Sequence, residues 1–206
     1  MEKALAFFGA FNPPTLAHLS LAEYALRKTG RETAVFVPSR SVYIREEQGK
    51  DFAYPEQKRL AMLRAAAASR PWMAVTDWEM TRTYQPRTYE TLCHLREEGT
   101  EAALLIGSDK LAELESKWLH VREITEEFGI VCLARGGDDC GRIIRESGFL
   151  QGIASHIRTL ETPEETKRIS STRVRQMVAQ GRLRDRELAE MVPAEILDLL
   201  DMGKEG

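Results

Sequence analysis

The sequence has little cysteine, no net positive charge and no long apolar run. Its cysteines, Cys93, Cys132 and Cys140, are odd in number and lack the spacing of a CxxC motif or a metal site, which favours free thiols in a reducing compartment. The formal net charge of −3 argues against a general nucleic-acid binder, because such a protein presents a basic face to phosphates. No apolar run approaches membrane-spanning length, and the first one begins too early for a signal peptide. We therefore expect a cytoplasmic protein that binds neither nucleic acid nor membrane, with its oligomeric state open.

What the chain does contain is an alternation of short apolar runs with helical segments. The runs predicted as strands are Ala4–Phe8, Thr33–Pro38, Met73–Trp78, Ala102–Ile106, Phe128–Leu133 and His156–Leu160. This alternation predicts the α/β class, with a single doubly wound, mostly parallel sheet and helices on both faces. At 206 residues and 43% hydrophobic, the chain can bury one substantial core. We expect one domain over residues 1–206, with a C-terminal helical portion from about 170 to 206.

The first strand runs into a turn and a helix, over Gly9-Ala-Phe-Asn-Pro-Pro-Thr-Leu-Ala-His18. Gly9 allows a sharp turn and close approach of a ligand, and Thr15 can cap the helix predicted over 16–28. His18 then falls at the third helical position. Free N–H groups in the first turn of a helix favour an anion, and an imidazole there can donate to it. The stretch therefore favours phosphate binding; the alternative is an ordinary turn with a surface histidine.

A second helix start of this kind lies near the other end, in Ile169-Ser-Ser-Thr-Arg-Val-Arg175. Ser170 is the expected N-cap, and Gly181 the expected stop. Arg175 falls about one turn into the helix, which suits a polyphosphate. The alternative is a simple cap with a solvated basic face. Two such helix starts in one α/β domain favour a shared site, beyond the carboxyl ends of the strands.

Together, the pattern Gly9-x-Phe11-x-Pro13-x-Thr15-x-x-His18 and the Ile169 to Arg175 stretch resemble the (H/T)xGH and ISSTxxR motifs of the nucleotidylyltransferase superfamily. Within it, the chain is most similar to the nicotinate/nicotinamide mononucleotide adenylyltransferases. The first motif histidine of many members is Thr15 here, and its glycine is Ala17. The resemblance implies a Rossmann-like fold and a reaction of NAD biosynthesis, in which ATP and a pyridine mononucleotide give a dinucleotide and pyrophosphate. It also implies Mg²⁺ carried by the phosphates of ATP, with no metal site of the protein's own.

Two alternatives remain beside this reading. One is another nucleotidylyltransferase, acting on phosphopantetheine or forming a CDP-linked product. The other is a non-catalytic nucleotide-binding regulator, which the replacements at Thr15 and Ala17 suggest.

The resemblance also assigns residues to roles. The predicted catalytic residues are His18, Thr15 and Arg175. The predicted ATP-binding residues are Gly9, Ala10, Phe11, Gly107, Asp109, Ile169, Ser170, Ser171 and Thr172. The predicted mononucleotide-binding residues are Asn12, Thr88, Tyr89, Trp118 and Arg135. Asp109 follows a buried strand and can accept from ribose hydroxyls, or can stabilise its own helix. Trp118 and Tyr89 can stack on or read the pyridine ring, or can pack in the core. The loop from Ser39 to Phe52 has no assigned role.

Overall fold

The apolar runs form a single parallel sheet in this computed structural model, which describes residues 2–41, 53–134, 137–162, 166 and 168–201. The strands are β1 Glu2–Gly9, β2 Thr33–Pro38, β3 Met73–Val75, β4 Thr100–Gly107, β5 Ile130–Ala134 and β6 Ile157–Glu161. They pair in the order β3-β2-β1-β4-β5-β6, and every pair is parallel. The predicted fold class is confirmed.

The third strand is half as long as predicted. β3 ends at Val75, which pairs with Phe36 of β2, and the chain then leaves the sheet. Pro38 closes β2 two residues later and has no N–H to extend the ladder. Trp78, predicted at the end of the strand, instead begins a short 3₁₀ helix, Trp78–Thr81.

Helices cover both faces of the sheet. In the described residues they are α1 Leu16–Thr29, α2 Glu56–Ala67, α3 Thr88–Glu97, α4 Ser108–Leu111, α5 Leu114–Lys117, α6 Val121–Glu127, α7 Cys140–Glu146, α8 Gly148–Gly152, α9 Ser171–Ala179 and α10 Arg186–Ala189. Further 3₁₀ helices span Ala154–His156 and Ala194–Leu199. None of these helices is long and apolar enough to cross a membrane.

Alternate side chains of each strand pack into two separate core layers, one on each face of the sheet. In β1, Leu5 packs in the layer that contains α1, α2 and α9, whereas Ala4 and Ala6 pack in the layer that contains α3 and α6. Near-continuous apolar strands of this kind are expected when both faces of a parallel sheet are covered. The last described segment, including Ile196 and Leu200, joins the first layer. The C-terminal portion is therefore helical and packed, and the division of the chain into domains stays a prediction.

The order of the sheet fixes where a ligand can bind. The chain adds strands on one side of β1 as far as β3 and then crosses to β4 on the other side. The loops after β1 and β4 therefore diverge, which opens a crevice beyond Gly9 and Gly107.

Candidate active site

The turn after β1 is built around the ring of Phe11. Phe11 adopts a positive φ of 42° and is 1% exposed. Its ring lies over Gly9, where an added Cβ would come within 3.1 Å of the Phe11 ring. A side chain at position 9 would crowd the Phe11 ring, so Gly9 favours this close approach as well as the turn of the chain. The folded-back ring also forms one wall beside the next functional side chain.

That side chain is His18, whose ring is held by Thr15 and by two aromatic neighbours. The backbone N–H of Thr15 donates to His18 Nδ1 at 3.1 Å, and the buried Thr15 hydroxyl lies 2.8 Å from the same nitrogen. The rings of Phe11 and Phe7 lie 5.3 and 6.2 Å from the imidazole, measured between centroids. Because Nδ1 accepts a hydrogen bond, we assign the ring proton to Nε2. His18 thus presents an oriented N–H donor, and Thr15 holds its ring.

The second motif contacts the turn directly. The Ser171 hydroxyl donates to the carbonyl oxygen of Pro13 at 2.8 Å, and Arg175 Nη1 donates to the carbonyl oxygen of Asn12 at 2.7 Å. The starts of α1 and α9, which are remote in sequence, therefore lie side by side. Burial lowers the pKa of the Arg175 guanidinium, although nearby Tyr54 acts in the opposite direction.

The two helix starts differ in the groups that they leave for a ligand. The Leu16 N–H of α1 donates to the carbonyl oxygen of Met191 at 2.9 Å, so the expectation that the first-turn N–H groups of this helix face an anion is wrong for Leu16. At α9, Ser170 is the N-cap, as predicted, and its oxygen accepts the N–H of Arg173 at 3.2 Å. Thr172 Oγ1 accepts from Arg175 at 3.3 Å. Both hydroxyls act as acceptors in these bonds, so each keeps a proton to donate.

A buried cation supports the turn after β1, and it was not predicted from the sequence to belong to the site. Arg59 of α2 is fully buried and donates to the carbonyl oxygens of Ala10 and Ser39, each at 2.7 Å. It also reaches the Ser41 hydroxyl and the carbonyl oxygen of Tyr54, both at 3.1 Å. Burial lowers the pKa of Arg59 to about 10, and Glu56 opposes that shift. One signal was available, since Arg59 shares the buried helical stripe of Leu63 and Ala66.

A buried carboxyl lies on the β3 side of the sheet. Glu79 is 2% exposed and accepts from the Thr91 hydroxyl at 2.8 Å and from the side-chain amide of Gln85. Burial raises the pKa of Glu79 to about 7; these two hydrogen bonds oppose the shift, and neighbouring Glu90 adds to it. No role for this residue was predicted from the sequence.

This pKa predicts a pH dependence of stability. The folded state binds the Glu79 proton more tightly than the unfolded state, so protonated Glu79 contributes to the free energy of unfolding. This contribution is fully present below pH 4.5 and is lost as pH rises through 7. Relative to Glu79→Gln, the wild-type free energy of unfolding should fall by about 2 kcal/mol from pH 5 to pH 8. Urea unfolding of wild type and Glu79→Gln at the two pH values measures this difference in the free energy of unfolding. Glu126→Gln, an exposed control, should show no such change, and a pH-independent gap for Glu79→Gln would contradict the assignment.

The residues predicted for the mononucleotide are more scattered. The Asn12 side chain is buried and accepts the N–H of Tyr54 at 2.8 Å, and Thr88 is the first residue of α3. Tyr89 stacks on His120, and its hydroxyl donates to Glu127 at 2.8 Å, so its contacts tie it to α6 rather than to the residues around His18.

The other predicted positions follow β4 and β5 in the sequence. Gly107 ends β4, and Asp109 follows it as an exposed residue in the first turn of α4. Trp118 is partly buried against the core layer that contains α3. Arg135 lies outside the described residues. The structure thus brings the two motifs together and leaves the pyridine-reading residues as predictions.

Comparison with known proteins identifies the family. Residues 6–177 match the model of the cytidylyltransferase-like family. The chain is 33% identical over 175 residues to the "Probable nicotinate-nucleotide adenylyltransferase" of Roseiflexus castenholzii, with 84% of each chain covered. The chain belongs to the nicotinate/nicotinamide mononucleotide adenylyltransferase family. The resemblance drawn from the two motifs is confirmed.

A further relative and a solved structure are also similar to this chain. The chain is 28% identical over 214 residues to "Nicotinamide/nicotinic acid mononucleotide adenylyltransferase 2" of Caenorhabditis elegans, covering 96% of this chain and 94% of the relative. A solved structure of the Plasmodium falciparum nicotinic acid mononucleotide adenylyltransferase, complexed with NaAD, superimposes with a TM-score of 0.72 at 15% identity and covers 97% and 95% of the two chains. That likeness supports the fold assigned to this member of the adenylyltransferase family.

Proposed function

We propose that the chain joins ATP to nicotinate or nicotinamide mononucleotide, giving the dinucleotide and pyrophosphate in NAD biosynthesis. A phosphate oxygen of the mononucleotide attacks the α-phosphorus of ATP, and the bond from that phosphorus to the bridging oxygen of the β-phosphate breaks. The bond electrons leave with pyrophosphate. The attacking phosphate is already ionised, so alignment and charge stabilisation suffice and no protein nucleophile is needed.

The observation that carries this proposal is the contact between the two helix starts. Arg175 and Ser171 contact the turn that precedes His18, which supports a single crevice lined by donors of both motifs. In the proposal, His18 Nε2–H donates to the α-phosphate, where negative charge develops. Arg175 and the hydroxyls of Ser170 and Thr172 bind the β- and γ-phosphates.

The remaining predicted residues complete the proposal. Ser171 and Thr15 act by position, since the Ser171 hydroxyl is used on Pro13 and Thr15 holds the His18 ring. Asp109 accepts from a ribose hydroxyl of ATP. Thr88, Tyr89, Trp118 and Arg135 stay as our proposal for the pyridine side.

The donors around the crevice are suited to phosphate rather than to a metal ion. They are N–H, hydroxyl and guanidinium groups, and no cluster of three or more His, Cys, Asp or Glu side chains with metal-binding geometry occurs in the described residues. In our proposal Mg²⁺ is therefore carried by phosphate oxygens and water, where it would offset the charge of the triphosphate. The unpaired thiols of Cys93, Cys132 and Cys140 support the proposed cytoplasmic location.

Pyrophosphate release tests the proposed reaction. The protein is incubated with ATP and Mg²⁺ and, in turn, with nicotinate mononucleotide, nicotinamide mononucleotide and phosphopantetheine. We expect pyrophosphate release only in the mixtures that contain a pyridine mononucleotide. Release only with phosphopantetheine would assign the chain to a sister transferase. Binding of ATP without release in any mixture would make it a nucleotide-binding regulator, and either result overturns the proposal.

A further inference from the structure

Glu79 belongs to a chain of hydrogen bonds that joins separate loops at the carboxyl edge of the sheet. One carboxyl oxygen accepts from Thr91, in the first half of α3, and the other accepts from the Gln85 amide. The Gln85 carbonyl oxygen in turn accepts the backbone N–H of Arg40 at 3.1 Å, just beyond β2. The Gln85 amide orientation follows from its partners, because a carboxylate needs the NH₂ group and an N–H needs the oxygen.

The chain of hydrogen bonds continues to the turn that carries His18. Ser39, the neighbour of Arg40, accepts from Arg59, and the same guanidinium donates to the carbonyl oxygen of Ala10. Glu79 and Arg59 are the two buried ionisable ends of this connection. Buried networks whose members are all satisfied hold their parts in one arrangement. The turn after β1, the end of β2 and the start of α3 are therefore held in register.

From this connection we propose that Glu79 is a positioning residue for the mononucleotide half of the active site. The inference rests on the proposed function, in which the start of α3 at Thr88 faces the mononucleotide. Glu79 itself is buried under these loops and does not touch substrate. Its two carboxyl oxygens fix the relative positions of the end of β2 and of α3.

The state of Arg40 supports this role. Its Nε atom is buried and lacks a hydrogen-bond partner within the described residues. A buried donor of this kind gains from an acceptor, and an anionic substrate at this edge can supply one. Gln85 holds the Arg40 backbone, and Glu79 holds Gln85, so the position of this guanidinium depends on the carboxyl group.

The decisive experiment compares KM values in Glu79→Ala, Glu79→Gln and wild type. Alanine removes both acceptors, whereas glutamine keeps an oxygen for Gln85 and an NH₂ for Thr91. We expect the alanine variant to raise KM for the pyridine mononucleotide about tenfold or more, by analogy with the loss of groups that orient a site. Its KM for ATP should change less than about twofold, and the glutamine variant should restore KM for the mononucleotide.

Leu95→Ala is the matched control for a purely structural effect. Leu95 lies one turn beyond Thr91 on the core face of α3, and its side chain cannot form hydrogen bonds. This variant therefore lowers stability without removing a member of the network. Its KM values should stay at the wild-type level below its unfolding temperature. Equal rises of both KM values in Glu79→Ala, or a rise of the mononucleotide KM in Leu95→Ala, would overturn the positioning role.

Direct binding separates this inference from the proposed function. Titration calorimetry with the pyridine mononucleotide, on wild type and Glu79→Ala, requires no turnover. A wild type that binds the mononucleotide, paired with a variant that binds it about tenfold more weakly, supports the inference even if pyrophosphate release fails. Turnover in wild type combined with unchanged binding in Glu79→Ala would overturn the inference and leave the function standing.

Discussion

His18→Ala should lower kcat for pyrophosphate release about 10²–10³-fold, the range seen when one preorganised donor to a developing negative charge is removed. The N–H on Nε2 is oriented before substrate arrives, because Thr15 occupies Nδ1 and the Phe11 ring packs against the imidazole. The free-energy cost of reorganising this donor during the reaction is therefore small. In the proposed arrangement α9 also binds ATP in the ground state, so KM for ATP should change far less than kcat. Steady-state kinetics with ATP varied at saturating mononucleotide measures both.

His156→Ala is the control for this result. His156 is exposed and lies just before β6, at the amino edge of the sheet, so its removal should leave kcat unchanged. Thr15→Val keeps the backbone N–H on Nδ1 and removes only the hydroxyl, and it should lower kcat less than His18→Ala does. A His18→Ala variant with wild-type kcat would show that the imidazole does not act on the α-phosphate.

Arg59→Leu should lower the free energy of unfolding by about 3–5 kcal/mol, because it leaves several buried carbonyl oxygens without a donor, at about 1–3 kcal/mol each. Leucine fills part of the space but leaves the carbonyl oxygens of Ala10 and Ser39 without the donor that they now have. Unpaired buried acceptors of this kind are costly. Urea unfolding followed by circular dichroism measures the loss.

Arg64→Leu provides a control on the same helix. Arg64 forms an ion pair with Asp77 at 2.9 Å, but both side chains are about half exposed. Solvent screens such a pair, so its loss should cost less than about 1 kcal/mol. Equal stabilities of Arg59→Leu and Arg64→Leu would show that the buried guanidinium contributes no more than a surface one.

The sequence predicted the strands and the two motifs well because those signals are local. An apolar run buried on both faces is recognisable without its neighbours, and the Ser170 cap depends on residues within one turn. The pairing of the motifs followed from the rule that loops beyond parallel strands meet at one edge.

The buried residues that support the site, Arg59 and Glu79, could not be predicted in the same way. Arginine and glutamate usually lie on the surface, so the burial of Arg59 and Glu79 is unexpected from sequence. It depends on hydrogen-bond acceptors and donors that only the folded chain provides. The bond from Leu16 to Met191 likewise follows from the packing of the C-terminal segment on the first core layer. Tyr89 was predicted from the resemblance, whereas its observed partners on α6 could not be read from spacing.

The contacts between the first turn and the end of the chain have a consequence for protein synthesis. Ser171 and Arg175 bond to residues 158 and 163 positions earlier, and Met191 caps α1. A ribosome delivers His18 well before these partners, at roughly 5–20 residues per second, so about 10–30 seconds separate the two events. A nascent chain therefore cannot form these contacts until Met191 has left the ribosome. During that interval the apolar face of α1 lacks these later partners, and exposed apolar surface of this kind favours aggregation.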